Sequence, residues 1–341
     1  MAAPGNPLTR QEVVHPLRSS SNSPLSLHDV GLFKSTILPS FTLHSGLSAT
    51  SYVIARATDR LEIKDWLWPL APVINAWWSS VGRALYYSDV SLKVAWESLS
   101  WSEKLLLGGV TTWGLRLFYR IASRSIARGK DDPRYEQDKK QPGFWNKAFF
   151  TQFLPEILFQ TAITLPFTVP FRVLDRPVSL DADVLNVLRG IAVGLFSAGL
   201  ALETLADSQV SSYRKVHDGL CRDGVWSIVR HPNYLGDTLV HLSFPLLCAS
   251  GPFHPITVVG PLANYVFLRY MGGDKGTEEY QEKRYKTEDA PKYVELQEYR
   301  REKNSFWPSF SELKNPWTWK IVGFGLAGVA AEEIARALYT P

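Results

Sequence analysis

Cysteine is nearly absent from this chain of 341 residues, with only Cys221 and Cys248 present. The two stand too far apart for CxxC chemistry, which excludes a disulfide scaffold and leaves both as buried thiols in a reducing setting. An excess of one charge is also missing. With 37 basic against 33 acidic residues the net charge is +4, too balanced for a nucleic-acid surface. No HExxH, no histidine box, no G-x-S-x-G elbow and no P-loop occurs among the seven histidines and 23 glycines, so no metal is implied and a zinc protease is excluded.

Charge is also missing from long stretches. Mean hydropathy is −0.10, an average that resembles a soluble protein, but the charges are clustered. Residues 35–55, 66–82 and 238–268 carry none, 148–171 carry only Glu156, and 184–202 only Arg189. A bilayer core takes about 20 mostly apolar residues per helix and penalises charge within it. Aromatic residues gather at segment ends (Trp66, Trp68, Trp77, Trp78, Tyr86, Tyr87, Trp317, Trp319) as in interfacial belts. The pattern predicts an all-α polytopic membrane bundle of roughly six to eight transmembrane helices. Spans are expected near 31–56, 66–88, 103–122, 148–171, 184–206, 234–249, 255–271 and 318–339.

The domain plan drawn from these features has a disordered tail over 1–28, N-terminal membrane helices over 29–100, a membrane domain over 101–310 and a C-terminal helix over 311–341. The tail has no basic and apolar segments of a cleaved signal peptide. Ser100-Trp-Ser-Glu103 is a capping box opening the third span. Residues 128–142 and 272–304 form polar stretches, the second with an amphipathic surface helix from Glu295. Arg116, Arg120, Arg124 and Arg128 lie on one helical stripe, which reads first as an anchor against lipid phosphates and second as a set of phosphate contacts to a cofactor. Gly323-Phe-Gly-Leu-Ala-Gly328 matches a dinucleotide fingerprint in letters only, because no strand precedes it and the acidic residue expected about 20 positions later does not fit before Pro341. Gly323, Ala327 and Ala331 instead make a small-residue stripe for helix packing.

Residues 224–237, Gly-Val-Trp-Ser-Ile-Val-Arg-His-Pro-Asn-Tyr-Leu-Gly-Asp, concentrate polar function at one break. Pro232 turns His231 out of helix and opens the next one. Arg230 and His231 then stand beside a helix N-terminus, a setting that favours phosphate or carboxylate. Gly236 would let a flat ligand approach the backbone, and Asp237 would accept from ribose hydroxyls. Glu203 and Asp207 sit at i, i+4 on the end of an apolar helix, where negative charge is disfavoured, so either a local reason holds both there or they are solvated at the interface or paired with Arg214. Glu156 is either an intramembrane site group or, after Pro155, a first-turn carboxylate.

Arg230-His-Pro-Asn-Tyr-Leu-Gly236 resembles the C-terminal signature of the steroid 5-alpha-reductase superfamily, closest to an uncharacterised multi-pass branch of it. Trp113-Gly-Leu-Arg-Leu, Lys130-Asp-Asp-Pro-Arg-Tyr135, Leu205-Ala-Asp-Ser-Gln209, Glu282-Lys-Arg-Tyr and Ser305-Phe-Trp-Pro308 extend the likeness, in order, from Trp113 to Pro308. The resemblance implies a cofactor site at the cytosolic face, lined by Trp226, Arg230, His231, Asn233, Tyr234, Asp237, Glu282 and Arg284. Steroid and sterol reductases of this group use NADPH. Isoprenylcysteine carboxyl methyltransferases, with a similar motif, use S-adenosylmethionine. The expected function is NADPH-dependent reduction of an activated C=C bond in a lipid-soluble, sterol-like or enone substrate, in a multi-pass protein of the endoplasmic reticulum. Asp207 and Tyr213 are the expected proton donors. The alternatives are a membrane methyltransferase and a non-catalytic protein that keeps the fold; membrane lipids are the expected surroundings and nucleic acid is not a partner.

Overall fold

The computed structural model describes residues 30–172, 181–250 and 253–339. The tail expected over 1–28 lies outside them. All regular structure among the described residues is helical. Each of the eight expected spans coincides with a helical stretch. One helix among the described residues, Ala182–Tyr213, is long and apolar enough to cross a membrane. The chain forms two compact units, Met1–Leu185 with Leu247–Gly260 and Asn186–Leu246 with Pro261–Pro341.

In the first unit, α1 (Leu38–Thr58) follows a π-helical turn at Phe33–Ile37. A second π turn, Trp78–Gly82, joins α2 (Ile63–Trp77) to α3 (Arg83–Ser88). The long α4 (Trp101–Arg128) begins at the expected capping box: Ser100 Oγ accepts from Glu103 N at 3.3 Å and Glu103 Oε2 from Ser100 N at 2.8 Å. It stops at Gly129, whose φ of 68° is a left-handed conformation that suits glycine. α2 lies so close to α4 that a Cβ on Gly114 would meet Pro69 O at 2.7 Å. α5 (Leu154–Ile163) and α6 (Leu165–Arg172) follow, after shorter helices at Leu92–Glu97, Glu136–Lys139 and Phe144–Ala148.

The Asp131 carboxylate accepts from Leu61 N and Glu62 N, both at 2.9 Å, so the 128–142 stretch caps the start of α2. Glu62 in turn takes Arg60, Ser125 and Arg128. One arginine of the expected lipid-anchoring stripe is thereby spent on a protein carboxylate. Glu156 falls in the first turn of α5 behind Pro155 and pairs with Lys64. Cys248 and, in the second unit, Cys221 are free and buried, as expected.

The second unit is built on α7 (Ala182–Tyr213), α8 (Pro232–Ala249, whose last turn counts with the first unit), α9 (Val259–Val266), α10 (Asp274–Glu288), α11 (Ala290–Glu302) and α12 (Pro316–Tyr339). Leu202, Val225, Val229, Leu235, Phe306 and Ile321 form its core. Two corrections concern glycine. Gly236 does not face a ligand: its Cβ position lies 2.6 Å from Gly199 O and 2.7 Å from Glu203 N, so it is where α8 crosses α7. The small-residue stripe of α12 is shifted from the expected one. Gly323 has nothing within 4 Å, whereas a Cβ on Gly325 would stand 2.9 Å from Gly194 O and one on Gly328 2.0 Å from Ser197 Oγ. The reason is Arg189, the lone charge of the apolar stretch of α7. It pairs with buried Glu332 at 3.1 Å, and Ile321, Gly325 and Glu332 therefore share the inward face of α12.

Candidate functional site in the second unit

Residues 224–237 carry most of the residues that the sequence singles out. Pro232 opens α8 and leaves His231 outside it. The pair Arg230–His231 is pinned to residues 304–305, with Arg230 N donating to Asn304 O and His231 N to Ser305 O, both at 3.0 Å. Trp226 Nε1 donates to Ala206 O at 3.0 Å, and Gln209 Oε1 accepts from Val225 N at 2.9 Å. The Leu205–Gln209 motif thus holds the break in place. Tyr299 of α11 closes it from the other side, donating to Trp226 O and Val229 O.

Arg230 does not present a free guanidinium. Its Nε and Nη2 form a fork on Glu278 at 2.8 and 3.0 Å, and its Nη1 donates to Lys303 O. Glu278 also accepts from His231 Nε2 at 3.0 Å and from Arg300 Nε at 3.1 Å. Burial works against the charge on Glu278, yet the bonds from His231 and Arg230 hold its carboxyl down to about 2. Burial also lowers His231, against the opposing pull of Glu278, so the imidazole is neutral and donates from Nε2. Arg300 carries the chain of charges on to Glu282 at 2.7 Å.

From His231 a polar stripe runs along α8 into apolar surroundings. His231 stacks on Tyr234 with ring centroids 5.5 Å apart, and Tyr234 shares a hydrogen bond with Thr277 at 3.2 Å. A turn further in, Asp237 is buried and accepts from Asn264 Nδ2 of α9 at 2.8 Å. His241 Nε2 stands 3.5 Å from Asp237 Oδ1. Glu203 of α7 is buried beside Gly236. The oxygens Asn233 Oδ1, Thr238 Oγ1 and Asn264 Oδ1 are buried without partners among the described residues. Two carboxylates and a histidine away from water make a site able to hold and move a proton.

Among the expected cofactor residues, Arg230, His231 and Glu282 join one network, Trp226 supports its backbone, and Tyr234 and Asp237 extend it inward. Arg284 does not join it. It is exposed and pairs with Glu288 one turn along α10. Asp207 follows the residue that receives Trp226, and Tyr213 stacks on His217 at the end of α7. Glu278, Arg300, His241 and Asn264 are the residues missed. Only His241 had a readable signal, its i, i+4 spacing from Asp237 on a helix.

Most of the arrangement lies within a stretch matched over residues 51–300 by one family model, DUF1295, described as a protein of unknown function. The chain belongs to that family. No curated protein and no solved structure matches it. The DUF1295 match covers the pinned break, the α8 stripe and Arg300, and stops short of the residues 304–305 that pin the break.

Proposed function

We propose that this DUF1295 protein is a multi-pass membrane reductase of the steroid 5-alpha-reductase-like group, residing in the endoplasmic reticulum and acting on an activated C=C bond of a lipid-soluble substrate. The membrane part of the reading is supported by an inside-out helix. α1 buries Ser40, His44, Ser48 and Ser51 and exposes Val53 and Ile54. α12 likewise exposes Val322, Phe324, Leu326, Ile334 and Leu338. Such apolar surface is costly in water and suits lipid.

The observation that carries the chemistry is the buried group Asp237–His241–Asn264–Glu203. Reduction of an enone needs a proton for the carbonyl or for the neighbouring carbon, whereas methyl transfer to a carboxylate needs none. Asn264 orients Asp237, and His241 Nε2 stands 3.5 Å from Asp237 Oδ1, so the two together would hold the proton that a lipid-soluble substrate takes up. The donor role expected of Asp207 and Tyr213 passes to this pair. A nicotinamide dinucleotide would supply the hydride. Its phosphates do not fit at Arg230 as the residue stands, because Glu278 already fills the guanidinium fork. The partnerless Asn233 and Asn264 oxygens suit its uncharged amide and hydroxyl groups.

That mismatch is the specific observation favouring a second reading, an S-adenosylmethionine-dependent methyltransferase, since that cofactor carries no phosphate. Titrating NADPH and S-adenosylmethionine against the heat stability of detergent-purified protein separates the two. Stabilisation by NADPH supports the reductase. Stabilisation by S-adenosylmethionine alone overturns it, and no shift with either leaves a non-catalytic protein. With a substrate in hand, Asp237→Asn and His241→Gln should each lower turnover by about 10²–10⁴-fold while the NADPH shift persists.

A further inference from the structure

The first unit holds a basic group of its own. Arg172, the last residue of α6, is fully buried. Its Nη1 donates to Ser35 O at 3.1 Å and Thr36 O at 3.4 Å, on the π turn that leads into α1. Its Nε and Nη2 have no partner among the described residues. Those two nitrogens share one edge of the guanidinium, where the N–H bonds point in parallel and match the two oxygens of a phosphate or carboxylate. Arginine does not escape burial by losing its proton, so an unmet fork in an enclosed setting calls for an anion.

The surroundings add positive charge. Arg83, at the start of α3, acts on Arg172 electrostatically, and Tyr87 of the same helix acts on both. α6 packs against the turns that precede α1 and α3, bringing both arginines to one end of the unit. Apolar side chains flank them. Phe33 and Leu38 are exposed on either side of the Ser35–Thr36 carbonyls, and Leu85 and Tyr86 are exposed beside Arg83. A buried cationic fork rimmed by exposed apolar groups fits an anionic head attached to an apolar tail.

We propose that Arg172, assisted by Arg83, binds a phosphate group at this end of the first unit, the headgroup of an anionic lipid being the source its apolar rim favours. The site is independent of the reductase reading and stands if that reading falls.

The experiment compares heat stability of the full chain in nanodiscs of phosphatidylcholine with and without phosphatidic acid, and in detergent with inorganic phosphate. The wild type should be stabilised by phosphatidic acid, and Arg172→Gln should require about tenfold more of it. A shift with phosphatidic acid alone identifies a lipid site, and a shift with inorganic phosphate as well identifies a site for the phosphate group itself; both support the proposal. Equal shifts in wild type and Arg172→Gln overturn it, as does the lack of any shift. Asp175, outside the described residues, is the nearest carboxylate in sequence, and anion dependence that emerges only in Asp175→Asn would make it the partner and overturn the proposal. Should Arg172→Gln fail to fold, Arg83→Gln supplies the same comparison, and phosphorus bound to purified wild type and Arg83→Gln is measured alongside.

Discussion

Glu278 accepts from two arginines and a histidine, and that crowding makes its protonation consequential. Its ordinary value of 4.5 falls to about 2 in the fold, so between those values the unfolded chain binds more protons than the folded one. Stability from this group is complete above pH 4.5 and is lost as pH falls toward 2. His231 is also lowered from 6.5, which has the same sign and starts the loss below that pH. Acid unfolding followed by circular dichroism should therefore show stability declining below about pH 6.5 and more steeply below 4.5. Glu278→Gln should flatten the lower window. Arg230→Ala removes donors from both Glu278 and Lys303 O, and should cost about 2–3 kcal/mol of stability in the second unit. Arg230→Lys, which keeps the charge but not the fork, should recover only part of it in a heat-stability assay. A loss of cofactor binding in either variant thus has to be read beside its stability.

At the scale of helices, α8 crosses α7 at two glycines whose backbones nearly touch. A Cβ on Gly199 would meet Gly236 O at 2.6 Å and Val240 N at 2.8 Å, and these backbone atoms cannot step aside. Gly199→Ala or Gly236→Ala should destabilise by about 1–3 kcal/mol through overpacking. Gly323→Ala has open space and a helical backbone, so it should leave stability unchanged or raise it by up to about 1 kcal/mol. Melting temperatures of the three variants in one detergent check the contrast. The same crossing sets Glu203 against the start of the α8 stripe, so a misplaced crossing would disturb the proposed proton site along with the packing.

For the whole molecule, the exposed apolar faces of α1 and α12 together with the span Ala182–Tyr213 give a direct expectation. The protein should remain in the membrane pellet after alkaline carbonate washing and leave it only with detergent; release by carbonate alone would sink the multi-pass reading. The helices themselves were legible in the sequence, because backbone hydrogen bonding within an apolar stretch is local, and so were the capping box at Ser100 and the break at Pro232. The place of Arg230 and His231 just ahead of α8 was legible for the same reason, since a proline fixes the start of α8 wherever the rest of the chain goes. What filled that site was not. Glu278 is one carboxylate in a run dense with them, and only the packing of α10 beside α11 and the pinned loop brings it, rather than Glu282, onto the arginine fork. Tertiary packing also decided that Gly236 serves a helix crossing, that Gly325 rather than Gly323 faces α7, and that Asn264 reaches Asp237 from another helix. Local chemistry is written in neighbouring residues, but which charge meets which partner depends on contacts between segments far apart in the chain, and these form only when the helices pack.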